Sequence, residues 1–297
     1  MLPPMTANHQ IGYATVLLYL VLGLASFGVT LKTRAHPHSQ LRLQVNSWWL
    51  LFPAVSLSLL LYPLGPALLA LLIGALALRE LAPHCRHSRY LFRLLCMALL
   101  ALLIGASWYQ PQWALRWLPC LVLAQFVYFL YNRQTEQLLL LLFLFMCCGI
   151  GFIIQLTHLP LAAETKLAWL FYLFVMTALN DIGQFISGKS FGKQRIAARI
   201  SPNKTWQGLA GGILVSVVIS LTLGAYLRLA APAPLLALAL SLAVGGFTGD
   251  ILFSAAKRFL GIKDFSQLIP GHGGILDRVD SLVLTAPLLY FAIVLFL

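Results

Sequence analysis

Asp250, Asp277 and Asp280 share one stretch of chain with Lys257, Arg258, Lys263, Asp264, Arg278 and the run Pro270-Gly271-His272-Gly273-Gly274. Carboxylates are hard oxygen ligands of the kind that suit Mg²⁺, which binds through a few of them plus the phosphates of a substrate. Lysine and arginine beside them neutralise phosphate charge, and glycines without side chains let backbone N–H groups approach phosphate oxygens closely. Asp277 and Asp280 are three apart, a spacing that puts both on one face where a last helix begins. The chain has 20 Lys plus Arg but only 8 Asp plus Glu among 297 residues, and its five aspartates all lie after residue 180. Acids this scarce, gathered beside bases and glycines, point to a site for metal and phosphate. A plain salt bridge accounts for Asp264 with Lys263, but not for so many acids at membrane depth.

Asp181 opens a second stretch, which carries Lys189, Lys193, Arg195, Arg199 and Lys204 and no further acid up to residue 212. It is expected about two turns before the end of an apolar span. An ionisable group there costs about 2.5–3.5 kcal/mol on insertion scales and is normally paired or functional; the bland alternative is a carboxylate satisfied by a neighbouring helix. With Asp250, Asp277 and Asp280 it completes a candidate Mg²⁺ set. Ser201-Pro202-Asn203 reads as a turn into the next helix, with Lys204 and Thr205 near its positive N-terminal end. Gly183 to Ser190 fits the phosphate-binding expression G-x-x-x-x-G-K-[ST], but that loop must follow a buried strand in an α/β sheet. No strand-alternating segments are present to build one.

The elements that position these residues are membrane spans. Hydrophobic residues make up 60% of the chain and charged residues 9%, against about 25% charged in soluble domains, and the mean hydropathy is +0.88. Apolar runs of about 20 residues cross a bilayer as helices, because lipid offers the backbone no partner outside the segment. Ten such runs are read, beginning near Ile11, Trp48, Pro66, Leu91, Trp113, Leu138, Leu167, Gln207, Pro234 and Val279. The second and third are short and joined at Pro63 to Pro66, so a re-entrant pair is the alternative. The first run is too long for a signal-peptide core and is read as a retained span. The expected fold is all-α, with nine to ten transmembrane helices.

Alternate connections hold 17 of the 20 Lys and Arg, leaving only Arg116, Lys166 and Arg228 on the other side. Basic loops face the cytoplasm, so both motif stretches are expected there and both termini on the far side. The net charge of +12 is thereby explained by an anionic leaflet and gives no argument for nucleic acid. Trp48, Trp49, Trp108, Trp113 and Trp117 read as an interfacial belt. The five cysteines lack C-x-x-C spacing and suggest neither a disulfide framework nor zinc. Function divides the chain into residues 1–165, spans without a motif, and 166–297, a core with motif loops at 180–212 and 250–280.

From Ser254 to Asp280 the chain resembles the signature of the phosphatidate cytidylyltransferase (CDP-diacylglycerol synthase) family, S-x-x-K-R-x-x-x-x-K-D-x-x-x-x-[LI]-P-G-H-G-G-x-x-D-R-x-D. Ser254, Lys257, Arg258, Lys263, Asp264, Ile269 to Gly274, Asp277, Arg278 and Asp280 match it. Ser201 to Gly212, S-P-x-K-T-W-x-G-x-x-G-G, and Phe191 to Lys193 are also similar to the family, so the resemblance covers the C-terminal 40% or so. Two departures stand out. Phe253 occupies the place of a glutamate in the frequent D-x-x-x-E-S-x-x-K-R, and D-I-G-Q-F from Asp181 replaces the frequent D-S-G-A-Y.

The resemblance implies transfer of a cytidylyl group from CTP to phosphatidate, giving CDP-diacylglycerol and pyrophosphate. It further implies one or two Mg²⁺ ions, a homodimer among membrane lipids, and a polar cavity open to the cytoplasm in the cell membrane. On that reading Asp250, Asp277 and Asp280 hold metal, with Asp181 completing the shell or orienting a base. Lys204, Lys257, Arg258 and Arg278 neutralise phosphates, Lys263 joins the substrate-binding set, and the backbone of Gly271, Gly273 and Gly274 meets the triphosphate. His272 is assigned to binding phosphate or cytosine. Other classes remain open: a CTP-dependent kinase of an isoprenoid alcohol, a transporter using intramembrane acids as an ion path, and a degenerate paralogue, to which Phe253 alone points.

Overall fold

The computed structural model describes residues 7–34, 39–271 and 273–297; His272 lies outside the described residues. Among these, ten helices are long and apolar enough to cross a membrane. They are α1 (Ala7–Lys32), α2 (Gln40–Leu60), α3 (Gly65–Leu81), α4 (Arg89–Tyr109), α5 (Pro111–Asn132), α6 (Thr135–Thr157), α7 (Ala163–Phe191), α8 (Trp206–Tyr226) and α9 (Pro232–Phe259), and a last span made of the short α10 (Leu276–Val279) and α11 (Leu282–Phe296). The protein is an all-α, multi-pass membrane protein.

Local chemistry sets most of the ends. Proline occupies the first turn of α3, α5 and α9, where its missing N–H costs nothing. The Ser88 hydroxyl accepts from Leu91 N at 3.2 Å at the start of α4, and the Thr205 hydroxyl accepts from Gly208 N at 3.1 Å at the start of α8. The ten expected spans are found, with two shifts of detail. Helix α2 begins eight residues before Trp48, so Arg42 lies within it; the mixed sequence Gln40-Leu41-Arg42-Leu43-Gln44 looks like a loop but is helical. Helix α7 runs on to Phe191, leaving Asp181 ten residues from its end, nearer three turns than two.

Helix α6 is apolar all round and sits at the centre, as such helices do. Leu139, Phe143, Met146, Ile150, Ile153 and Ile154 are fully buried there, packed against α3, α4, α5, α7 and α11. By contrast α1 leaves Leu17, Leu20, Leu24 and Phe27 exposed, the outward apolar face that lipid requires. Helices α7 and α8 approach closely through small residues. A Cβ at Gly183 would lie 2.9 Å from Val215 Cγ2, one at Gly208 3.1 Å from Gln184 O, and one at Gly212 2.8 Å from Asn180 Oδ1. Close backbone approach of this kind drives helix association in lipid. The segment Gly183–Ser190 is helix throughout, so its match to a phosphate-binding loop is accidental, and Gly183 and Gly188 serve packing.

One expectation fails locally. Ser201–Thr205 is not a turn but strand β2, paired antiparallel with β1 (Arg195–Ala197); the reversal falls at residues 198–200. The hairpin is fixed from outside: Trp206 N donates to Gln194 O at 3.0 Å, and the Gln207 carboxamide accepts from Lys193 N at 3.0 Å and Gln194 N at 3.3 Å. Those tertiary partners override the turn preference of Pro202 and Asn203.

Candidate active site

Three helices deliver carboxylates to one place. Thr177, Asn180, Asp181 and Gln184 form a polar stripe on α7; Gly246, Gly249 and Asp250 lie on α9; Asp280 and Ser281 join α10 to α11. Glycine permits the approach. A Cβ at Gly249 would collide with the Asp280 carbonyl oxygen and lie 3.1 Å from its carbon, and one at Gly246 would lie 3.1 Å from Asn180 Nδ2. Ser281, fully buried, is the hub. Its hydroxyl lies 3.0 Å from Asp181 Oδ1 and 3.1 Å from Asp250 Oδ1, and its backbone N–H donates to Asp280 Oδ1 at 3.0 Å. Asp280 in turn faces Asp250.

Lys204 enters from β2. Its ammonium pairs with Asp250 Oδ2, donates to Gln184 Oε1 at 3.2 Å and stands 5.4 Å from the centre of the Phe247 ring. Burial works against its charge, but Asp250 and Asp181 outweigh burial and hold it above the usual lysine range. Arg278 is within electrostatic range of Asp181 and Asp280, and its buried Nε has no hydrogen-bond partner among the described residues, as is also true of Asn180 Nδ2 and Gln184 Nε2. One serine proton cannot serve two carboxylates at once, and two bases, Lys204 and Arg278, stand beside three carboxyl groups, Asp181, Asp250 and Asp280. Among the described residues no three acid, histidine or cysteine side chains form a metal cage on their own.

Asp277 takes different partners. Its Oδ1 accepts from Lys257 Nζ at 2.6 Å and its Oδ2 from Gly274 N at 3.0 Å, and the pair is buried, with side chains 6% and 12% exposed. The expected shared face of Asp277 and Asp280 thus resolves into two adjoining groups, one ion pair and one carboxylate cluster. Arg258 is exposed and donates to Ile200 O at 3.0 Å and Ile262 O at 3.2 Å, tying the hairpin to the end of α9. Lys263 and Asp264 are exposed and form no ion pair with one another. Phe253 is fully buried, stacked 6.0 Å from Phe145 and edge-on to Phe265 at 6.4 Å.

The glycines of the loop have packing reasons of their own. Gly271 and Gly273 hold φ of 74° and 83°, which glycine adopts freely. A Cβ at Gly271 would lie 2.7 Å from Leu43 Cβ on α2, one at Gly273 2.8 Å from Asp277 Oδ2, and one at Gly274 2.7 Å from Glu80 Cδ. Glu80 of α3, 2% exposed, was not among the expected residues, nor was Ser281. In the sequence Glu80 stands beside Arg79 at the end of an apolar span and Ser281 directly follows Asp280, and neither placement announces the partners that the fold brings to it.

Fold and site together define a polytopic helical membrane protein with a buried cluster of carboxylates and bases between the C-terminal halves of α7 and α9 and the start of the last span. The sequence profile of the cytidylyltransferase family matches residues 42–296, and the chain belongs to that family. It is 43% identical over 131 residues to the phosphatidate cytidylyltransferase of Bacillus subtilis, covering 44% of this chain and 49% of that protein. To the enzyme of the same name from Haemophilus influenzae it is 36% identical over 126 residues, covering 40% and 43%. To the uncharacterized protein YnbB of Escherichia coli it is 42% identical over 122 residues, 41% of each. The chain spans less than half the length of each of these relatives.

Proposed function

We propose that the protein transfers a cytidylyl group from CTP to phosphatidate, forming CDP-diacylglycerol and pyrophosphate. One observation carries the reading: Asp181, Asp250 and Asp280, drawn from three spans, meet Lys204 and Arg278 with an excess of carboxylate over base, in a chain of the cytidylyltransferase family. An oxygen of the phosphatidate phosphate attacks the α-phosphorus of CTP; the new P–O–P linkage forms as the bond to the β-phosphate breaks, and pyrophosphate leaves with that electron pair. The nucleophile is already an anion, so no side chain need be acylated or phosphorylated. Catalysis then reduces to positioning and charge neutralisation.

The donor set fits Mg²⁺. Its carboxylate oxygens are hard and outnumber their hydrogen-bond donors, and this ion is commonly completed by substrate phosphates rather than by an all-protein cage. Asp250 and Asp280, with Asp181 and Asp277 beside them, would hold one or two ions. When bound, the metal would supply charge neutralisation to the attacking and leaving oxygens. Lys204 and Arg278 hold phosphate oxygens, and Lys257 orients Asp277 while facing the same space. The backbone of Gly271, Gly273 and Gly274 approaches the triphosphate, with Lys263 at the exposed rim, and His272 is assigned to binding phosphate or cytosine. Arg258 acts through the hairpin it anchors.

The same reading puts the protein in the cell membrane as a homodimer, its polar cavity open to the cytoplasm where the basic loops lie and to lipid between the spans. The test is incubation of purified protein in detergent with Mg²⁺, phosphatidate and each NTP in turn, measuring pyrophosphate and the mass of the lipid product. A CDP-lipid formed from CTP alone is expected. A phosphorylated alcohol with CDP released would replace transfer by kinase chemistry, and a folded protein with no product would refute the reading for phosphatidate.

A further inference from the structure

Glu80 is a carboxylate at the inner end of an apolar helix, and among the described residues no cation pairs with it. The ion pairs formed there are His87–Glu136, Lys204–Asp250 and Lys257–Asp277. A buried carboxylate is tolerated at such depth only when its oxygens are satisfied, and Glu80 finds every donor in the motif loop. Its Oε1 accepts from Ser266 Oγ at 2.7 Å and Ile275 N at 2.7 Å, and its Oε2 from Leu276 N at 3.0 Å. These partners lie 186 to 196 positions away along the chain.

What it grips adjoins the chemistry. Leu276 is followed directly by Asp277, and the residue before Ile275 is Gly274, whose N–H donates to Asp277 Oδ2. Two carboxylates therefore close on one glycine: a Cβ at Gly274 would lie 2.7 Å from Glu80 Cδ. The loop is pressed on the same N-terminal half at Gly271, where a Cβ would lie 2.8 Å from Gln44 N. A salt bridge would serve mere stability; two adjacent backbone amides held by one carboxylate fix direction as well as place, because hydrogen bonds to an ionised acceptor are short and oriented.

We infer that Glu80 is a positioning residue for the transfer: from a helix outside both motifs its carboxylate latches the segment from Ser266 to Leu276, and so sets where the glycine loop, Asp277 and Lys257 stand. The kinetic half rests on the cytidylyl-transfer reading, in which that loop meets the triphosphate; the latch itself does not.

The full chain and its Glu80→Leu and Glu80→Gln variants, in mixed micelles with phosphatidate, give three readings: KM for CTP, KM for phosphatidate, and backbone amide exchange by mass. For Glu80→Leu, KM for CTP rises by roughly tenfold or more, about the factor that one lost charge-assisted hydrogen bond commands. KM for phosphatidate stays within about twofold, as expected of a group that orders only the nucleotide's loop. Exchange quickens in peptides covering residues 266–276 and not in α6 or α8. Glu80→Gln, which keeps one oxygen acceptor, falls between. An unchanged KM for CTP with activity lost only in proportion to folded protein would reduce Glu80 to a structural residue, and unchanged exchange at 266–276 would overturn the latch. Should Glu80→Leu not fold, Glu80→Gln carries the same readings. A wild-type chain that makes no CDP-lipid refutes the cytidylyl reading instead, while exchange still decides whether the latch exists.

Discussion

Lys257 and Asp277 offer the most quantitative test of the site's electrostatics. At 2.6 Å and an effective dielectric of about 20, two unit charges attract by ~6 kcal/mol. Desolvation consumes much of this because the side chains are only 12% and 6% exposed, so the intact pair has a small net worth. Removing one member is different: it strands a buried charge, at about 3–5 kcal/mol. Lys257→Met should fall at the lower end, since Asp277 keeps Gly274 N at 3.0 Å. Asp277→Asn leaves the ammonium a neutral amide oxygen and the Phe265 ring, 5.8 Å away, in place of its counter-charge, and should also abolish turnover. The double variant removes both charges, so its loss should be smaller than the two single losses added by about 2–3 kcal/mol. Denaturant unfolding in detergent, followed by tryptophan fluorescence, gives the four free energies. Additivity within about 0.5 kcal/mol would show that the charges do not feel one another, and an active Asp277→Asn would remove Asp277 from the phosphate chemistry.

Other perturbations probe separate parts of the argument. Asp250→Asn should lower CTP-dependent pyrophosphate release by about 100-fold or more while the protein elutes as wild type; retained activity would take Asp250 out of the metal set. Gly249→Ala forces a methyl against the Asp280 backbone and should cost about 1–3 kcal/mol with activity falling alongside, whereas a neutral result in thermal unfolding would contradict the close approach of α9 to the last span. Lys204, held above its ordinary value of 10.5, contributes stability that is full below about pH 10.5 and is lost as pH rises through the higher folded value. Lys204→Met should therefore flatten the alkaline limb of a stability profile, and an unchanged limb would refute that contribution. Phe253→Glu puts a carboxylate between Phe145 and Phe265, four residues before Lys257 on α9, and should destabilise because desolvating a new buried charge costs several kcal/mol; undiminished stability would mean that Lys257 compensates it.

The spans were legible because lipid imposes one rule on every segment, so hydropathy alone located ten helices to within a few residues at most ends. The hairpin was not, since Ser201–Thr205 becomes a strand only through Gln194 and Gln207, partners that a local reading of Pro202 and Asn203 ignores. Asp181, Asp250, Asp280 and Lys204 could be read from spacing, because acids and bases at membrane depth are costly enough to stand out. Arg258 donates to the carbonyl oxygens of Ile200 and Ile262, contacts that no spacing in the sequence announces. Ser281 looks like any small residue of a transmembrane helix, and Glu80, beside Arg79, looks like ordinary loop charge. Only the three-dimensional return of residues 266–276 to α3 reveals what Glu80 holds.

The stretch from Ile275 to Ser281 completes what α3, α7 and α9 leave open. Ser281 answers Asp181 and Asp250, Asp277 answers Lys257, and the amides of Ile275 and Leu276 answer Glu80. A ribosome delivers the chain from its N-terminus, so α3, α7 and α9 enter the bilayer before Ser281, Asp277 and the amides of Ile275 and Leu276 are there to meet Asp181, Lys257 and Glu80. The closing helix is thus a keystone in time as well as in space: before it arrives, polar groups at membrane depth mark the protein as unfinished to any factor that surveys the bilayer for exposed charge.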